Sequence, residues 1–515
     1  MTIKDDHEWN VHAEFLHLPN YIIKGAGLVK STHTDDLVLY NRPACRQQVK
    51  FIQESVIANG KDGFIFGQPG TGKSTTTFFA CCVLRREYDI VWIHVAPDKG
   101  YAEIVTIQGN YMRKVKVPRD QVFLNVSLKK MDDKHQRTSQ TILVLDSFNF
   151  TTPEAERLLR DARWWRENDL INRRLITVSS MGCFDKSEKK VNEYTKRHGV
   201  GSWSLEEYME AIKRDDLWES VRHAFSGIQA VLKEREELVK AKFYYAGTSA
   251  RFMFGLSIEE IKDAITSAMR VMSPRTRECT STESILSNAF KHSLISFIYE
   301  PDCVFRQAGF VSQHAARTFG AASKAGALRS LAAEGEFASN SQARGWVFEA
   351  YFLACASEKS DLVLRKEVNS KKSKRAIVTW SCPQPDFRRI CVFTPQSLNH
   401  KLPLDTWLRP DSPQQPGFDA VMLLSNGLIR FIQTTVAQEH DLKMWALANL
   451  VTRLQQLGHE VTDAEVFFVI PDDAFAKNFV ITELHGWEQF VKLFKSWPKK
   501  LENVKKKLQT VMIGF

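Results

Sequence analysis

No Cys-x-x-Cys pair occurs in the 515-residue chain, although nine cysteines are scattered along it. That absence argues against a structural zinc site, and the odd, dispersed set suits free thiols in a reducing compartment. No run of about 18 apolar residues occurs, so no membrane span is expected. The opening residues, MTIKDDHEWNVHAEF, are too polar and too acidic for a secretory leader, and none is expected. Internal repeats and extended low-complexity tracts are missing. So is the HRD-then-DFG arrangement of a protein kinase. An acidic surplus is missing too: Lys+Arg 70 against Asp+Glu 60 gives +10, with a pI near 9.0. Such a balance permits a polyanionic partner without demanding one.

What is present is ordinary globular composition, 43% hydrophobic and 25% charged. At roughly 150 residues per domain the chain predicts about three domains, or two large ones. Residues 1–35 show no clear period and are read as an N-terminal extension. Pro43 to Asn59 reads as a helix ended by the Asn59-Gly60 turn signal. Short apolar runs then alternate with helical stretches: Gly63–Phe66, Asp89–Val95, Val122–Val126, Thr141–Leu145 and Leu175–Ser179. That alternation predicts a mostly parallel α/β sheet. From Ser204 to Lys242, and on through Ser257 to Leu286, the pattern is helical and reads as a lid, so one α/β core with a helical lid is expected over residues 36–330. Ala321 to Gln342 is rich in Ala, Ser and Gly and reads as a connection. A second α/β domain is expected over 331–515. It opens on a helix (Gly345–Ser357), with strands near Leu362–Val368 and Ala376–Trp380. The strands Ala420–Leu424 and Leu428–Thr434 flank the hairpin cue Asn426-Gly427. A helix near Leu442–Leu457 and a strand at Ala464–Ile470 follow.

Gly67, Gln68, Pro69, Gly70, Thr71, Gly72, Lys73 and Ser74 fit G-x-x-x-x-G-K-[ST], between an apolar strand and a helix. Glycines let backbone N–H groups turn inward around phosphate oxygens. The helix N-terminus adds positive potential, the lysine neutralises β/γ charge, and the serine hydroxyl ligates Mg²⁺. Asp146 follows the strand Thr141–Leu145, where a second acidic residue holding that Mg²⁺ belongs. The next residue is Ser147, where many hydrolysing ATPases carry a glutamate that polarises the attacking water. Ser179 closes the following strand and is a candidate sensor of the γ-phosphate. Arg251 follows the helical region and is a candidate to reach nucleotide from the lid.

A second set lies in the last third. Glu349 sits on the helix GWVFEAYFLA among large apolar side chains. Asp419 begins a strand, and Gln433 and Thr435 lie two apart on or just past its partner strand, on one face. A hairpin can bring Asp419 and Gln433 to one edge, where converging carboxylates would bind a Mg²⁺ that activates water and stabilises the developing charge on a scissile phosphate. The cluster Lys371-Lys372-Ser373-Lys374-Arg375 has the composition of a nuclear import signal or of a DNA-backbone contact.

Together, GQPGTGKS, TILVLD, YYAGTSARFMF and the C-terminal FDAVMLL…LIRFIQTTVAQEHDLK make the sequence, over roughly residues 36–515, resemble the Crinkler and retrotransposon-hot-spot class of eukaryotic proteins. The resemblance implies an AAA-like or STAND-like P-loop ATPase fused to a restriction-endonuclease-fold domain of PD-(D/E)XK type. It matches Glu349 to the helix glutamate of that nuclease fold and Asp419 to its metal-binding aspartate. Gln433 and Thr435 fall where the pattern has Glu and Lys, and Lys443 and Arg430 are candidates to substitute for the lysine charge. The implied activity is ATP- and Mg²⁺-dependent cleavage of double-stranded DNA by a toxin-like nuclear effector, gated by nucleotide, with self-association through the ATPase domain. The expected location is a nucleus, of a host cell after secretion by a route the sequence does not identify, or the cytoplasm otherwise. The rival expectation is a non-catalytic switch, in which ATP toggles a degenerate nuclease fold that only binds DNA or protein.

Overall fold

In a computed structural model the described residues are 3, 9–19, 22–23, 36–95, 101–118, 140–148, 153–180, 194–228, 234–271, 294–299, 305–333, 340–358, 361–367, 375–381, 391–395, 398–411, 415–471 and 479–513. The strand read at Val122–Val126 and the basic side chains of Lys371, Lys372, Lys374 and Arg375 lie outside them. The chain divides into two compact units: Met1–Ala264 with Leu286–Gln307, and Ile265–Ile285 with Ala308–Phe515.

In the first unit, β1 (Phe15–Leu18) and β2 (Leu37–Tyr40) pair antiparallel. Helix α1 (Pro43–Phe51) opens on proline, whose missing N–H is no loss in a first turn. It runs into a π-helical stretch, Ile52–Ala58, so the single helix expected over Pro43–Asn59 changes its hydrogen-bonding pattern midway. The main sheet comprises β3 (Asp62–Gly67), β4 (Tyr88–Val95), β5 (Tyr101–Gln108), β6 (Tyr111–Pro118), β7 (Gln140–Phe148), β8 (Arg173–Ser180) and β9 (Thr195–Val200), in the order β6-β5-β4-β7-β8-β3-β9. From β4 to β9 neighbouring strands are parallel. The β5–β6 hairpin adds an antiparallel extension that the sequence reading did not include. Its outer strand carries Arg113, Lys114 and Lys116, charges that guard an exposed sheet edge.

Helix α2 (Lys73–Leu84) follows β3, and α3 (Pro153–Glu167) joins β7 to β8. Phe78 of α2 meets Trp92 of β4 edge-on, with ring centroids 5.0 Å apart, and both are fully buried. Among the described residues the helical region comprises α4 (Leu205–Ala211), α5 (Asp215–Val221), α6 (Arg235–Ala246), α7 (Ala250–Gly255) and α8 (Ile258–Val271), and the part of it read over 272–286 lies outside them. Ser204 caps α4 in a reciprocal capping box with Glu207.

Two short strands, β10 (Ile295–Tyr299) and β11 (Phe305–Phe310), come next in the chain. The stretch read as a connection, Ala321 to Gln342, is mostly helical among its described residues: α10 (Ala325–Ala333) lies within it, between α9 (Gln313–Ala321) and α11 (Ser341–Glu358). Alanine favours helix, and the spacing of Leu328 and Leu331 places both in the core. The second unit holds an eight-stranded mixed sheet built from β12 (Asp361–Glu367), β13 (Arg375–Ser381), β14 (Cys391–Phe393), β15 (Trp407–Pro410), β16 (Ala420–Leu423) and β17 (Leu428–Thr434). With β19 (Asp463–Pro471) and β21 (Gln509–Ile513) the order is β13-β12-β21-β19-β17-β16-β15-β14.

Strands β15, β16 and β17 form an antiparallel meander, and β17 and β19 are parallel. Helix α12 (Met444–Gln456) connects that parallel pair and buries Met444, Leu447, Leu450, Val451 and Leu454 along one face. A separate parallel pair joins β18 (Glu439–Lys443) to β20 (Val480–His485). Helices α13 (Trp487–Leu493) and α14 (Leu501–Lys507) precede β21. No described helix is long and apolar enough to cross a membrane.

Candidate nucleotide and metal sites

The glycine-rich loop leaves the end of β3 and enters α2 at Lys73. Gly70 (φ +86°) and Gly72 (φ +91°) occupy the left-handed region that other residues avoid. A Cβ at Gly70 would stand 2.8 Å from Ser249 Oγ and 2.9 Å from the Arg251 backbone nitrogen. The loop thus lies directly against the start of α7, where Arg251 keeps an exposed side chain. Ser249 Oγ donates to Pro69 O at 3.4 Å.

Within the loop, Lys73 Nζ donates to Gln68 O at 3.0 Å and Thr71 Oγ1 donates to the same carbonyl at 2.9 Å. Gln68 itself is held by Ser202, whose hydroxyl donates to Oε1 at 2.9 Å. Ser74 Oγ donates to Asp146 Oδ1 at 2.6 Å. The pair expected to share a Mg²⁺ therefore meets, with a buried carboxylate opposite a hydroxyl at a helix N-terminus. These oxygen donors would suit a hard divalent cation such as Mg²⁺. Ser179, 1% exposed at the end of β8, registers against Phe66 of β3, one residue before the loop begins.

Two supporting side chains carry no sequence signal. Arg42, 1% exposed, donates from Nη2 to Thr71 O at 3.0 Å and to Gly201 O, and from Nη1 to Ser202 O at 3.1 Å. It also pairs with Glu207 at 3.1 Å and lies over the Trp203 ring. Gln48 of α1 donates from Nε2 to Lys73 O at 2.8 Å and to Thr77 Oγ1 at 2.7 Å, fixing the first turn of α2.

In the second unit, Asp419 precedes β16 and Gln433 lies on the paired strand β17. Asp419 Oδ2 accepts from Gln433 Nε2 at 2.8 Å, from Thr434 N at 2.7 Å and from Thr434 Oγ1 at 2.8 Å. Burial, and then the nearby Glu349 carboxylate, push the Asp419 acid up to about 7, against the pull of the Thr434 donors and Arg317. Glu349, Asp419 and Gln433 are thus brought together, as the hairpin and helix predict.

The cation beside them is Arg317, which sequence reasoning missed. From α9 it donates through Nε to Glu349 Oε1 at 2.7 Å, and its Nη2 lies 2.7 Å from the same oxygen. Gly320 makes this possible: a Cβ there would fall 2.3 Å from Ala350 Cβ, so only glycine lets α9 approach α11 this closely.

The remaining expected residues are placed otherwise. Thr435 N donates to Val469 O at 3.0 Å and its hydroxyl accepts from Ala437 N, so it works within the local backbone. Lys443 Nζ is ion-paired with Asp441, two residues away on the same strand. Arg430 pairs with Glu465 on β19 at 2.9 Å. Among the described residues, no group of three or more His, Cys, Asp or Glu could hold a metal ion.

No protein-family model and no curated protein matches the chain. Among solved structures, it is similar to Drosophila ORC bound to DNA, at 14% identity over 51% of this chain and 76% of that one, with a TM-score of 0.22. It is also similar to Cdc6p from Pyrobaculum aerophilum, at 14% identity over 50% of this chain and 75% of that one, with a TM-score of 0.24. Scores of this size leave the reading of both sites to their own geometry.

Proposed function

We propose that the first unit binds a nucleoside triphosphate, ATP, together with Mg²⁺, and acts as a P-loop ATPase. The observation that carries this reading is Ser74 Oγ at 2.6 Å from the buried Asp146 carboxylate, in the first turn of the helix that the glycine-rich loop enters. Lys73 would hold the β/γ-phosphates, Ser74 and Asp146 the cation, and Ser179 and Arg251 are the candidates to read the γ-phosphate. The bound cation would offset phosphate charge during hydrolysis. The test is titration of a fluorescent ATP analogue into the full chain. Lys73→Ala removes a charge-assisted contact and should weaken binding about 10-fold or more. Unchanged affinity would overturn the assignment.

A second reading concerns Asp419 and Glu349: Mg²⁺-dependent cleavage of duplex DNA, gated by nucleotide. Its support is the placement of the Glu349 carboxylate near the buried Asp419, whose acid form is favoured first by burial and then by that neighbour, a cost a divalent cation would relieve. The Crinkler-type resemblance supplies the rest of this reading, namely DNA as substrate, a nuclear site of action and self-association through the ATPase domain. Plasmid nicking in ATP and Mg²⁺ should be lost in Asp419→Ala and Glu349→Ala. Nicking equal to wild type in both variants leaves the non-catalytic switch, which the Arg317–Glu349 pair favours because an arginine already neutralises that carboxylate.

A further inference from the structure

Asp146 is fully buried, so both its oxygens need partners. Ser74 serves Oδ1. The other oxygen, Oδ2, meets His94 Nδ1 at 2.6 Å. His94 lies near the end of β4, and its register partner across the parallel β4–β7 pair is Asp146 itself. An ionised carboxylate only accepts, so the imidazole donates through Nδ1. On the other side of β7 the ladder is irregular at this point. Pairing between β7 and β8 breaks between Leu145 and Phe148, and Ser147 sits at φ +57° with its hydroxyl 3.5 Å from Oδ2. No acidic side chain stands at that next position.

We infer that His94 is a positioning residue for the metal–nucleotide site. It holds Oδ2 and thereby fixes the plane of the Asp146 carboxylate, with Oδ1 directed at Ser74 and the cation the two would share. This rests on the reading of the first unit as a Mg²⁺–nucleotide site. Without the imidazole, the carboxylate can turn about its Cβ–Cγ bond and present either oxygen. Partners that orient a metal ligand in this way commonly govern metal affinity by about 10- to 100-fold.

The test uses the full chain as wild type, His94→Asn and His94→Gln. Asparagine carries its amide nitrogen close to where Nδ1 lies, whereas glutamine places it one bond further out. Binding of the fluorescent ATP analogue is followed while Mg²⁺ is titrated, with a parallel arm in EDTA, and steady-state hydrolysis is measured alongside. The Mg²⁺ concentration for half-maximal binding should stay within about threefold of wild type in His94→Asn and rise about tenfold or more in His94→Gln. Hydrolysis should lose kcat in the same order. Affinity in EDTA should be equal in all three proteins, which a general loss of structure would not leave intact. Equal half-saturating Mg²⁺ in all three proteins overturns the positioning role while leaving the nucleotide reading in place. Absence of nucleotide binding by the wild type removes that reading and the inference with it.

Discussion

Gln433 donates to Asp419 Oδ2 at 2.8 Å, so the position that the Crinkler-type resemblance matches to a nuclease glutamate supplies a hydrogen-bond donor. The amide compensates the Asp419 carboxylate instead of adding to its charge. Gln433→Glu should turn this attraction into repulsion and destabilise the second unit by about 2 kcal/mol in EDTA. Mn²⁺ or Mg²⁺ should restore the loss if the Glu349–Asp419 pair accepts a cation. Thermal melting in EDTA and in each cation checks this, and a metal-insensitive loss would count against a cation site.

Gly70→Ala combines a left-handed backbone with contacts of 2.8 and 2.9 Å to Ser249 and to the Arg251 backbone. The strain is about 1–3 kcal/mol, and the loop can relieve it only by moving away from α7. The variant should remain folded by circular dichroism while losing nucleotide affinity. Retention of wild-type affinity would mean that the loop does not need this approach.

Lys242 is fully buried and donates to three backbone carbonyls: Ala224 at 2.5 Å, Met253 at 2.7 Å and Leu256 at 2.6 Å. It fastens α6 to both flanking segments, including the end of the helix that carries Arg251. Lys242→Met keeps the stem and strands the three acceptors, at a cost of about 3 kcal/mol or more. Urea unfolding should show a lower midpoint, and an unchanged midpoint would show that solvent reaches those carbonyls.

His198 of β9 is 4% exposed and stacks on Phe51, with ring centroids 5.0 Å apart. Burial holds its pKa down at about 4, against 6.5 for the free side chain. The unfolded chain therefore takes up a proton that the folded ring refuses. Stability is fully present above pH 6.5 and is lost as pH falls toward 4, by about 3 kcal/mol at the lower end. His198→Phe should flatten this part of the stability profile, and chemical denaturation at pH 7, 5.5 and 4.5 measures it. Parallel profiles for the two proteins would place the acid sensitivity elsewhere.

Local patterns were legible in the sequence, and long-range ones were not. The phosphate loop, Asp146 and the Asn426-Gly427 hairpin are read from runs of a few residues, because turn chemistry and strand period are local properties. Asp419 and Gln433 could be paired for the same reason, through the hairpin that joins their strands. The side chains that complete each site come from far away in the chain: His94 is 52 residues from Asp146, and Arg317 is 32 from Glu349. Nothing in their neighbourhood marks them, since a histidine in a strand and an arginine in an alanine-rich helix are both commonplace. Lys443 failed for the converse reason. Its partner, Asp441, lies two residues away and takes the ammonium first. The β5–β6 hairpin was missed because its connection, Gly109-Asn110, reverses the usual Asn-Gly order.

Arg42 joins the carbonyl of Thr71 to Glu207, a residue 165 positions later in the chain. During synthesis, the phosphate loop emerges long before the segment that pins it. A nascent chain shorter than about 240 residues, allowing about 30 to clear the ribosomal tunnel, has the whole glycine-rich motif but no finished cradle. If the first unit binds nucleotide as proposed, a nascent chain of that length should bind it weakly, and competence should arrive only once Glu207 can reach Arg42.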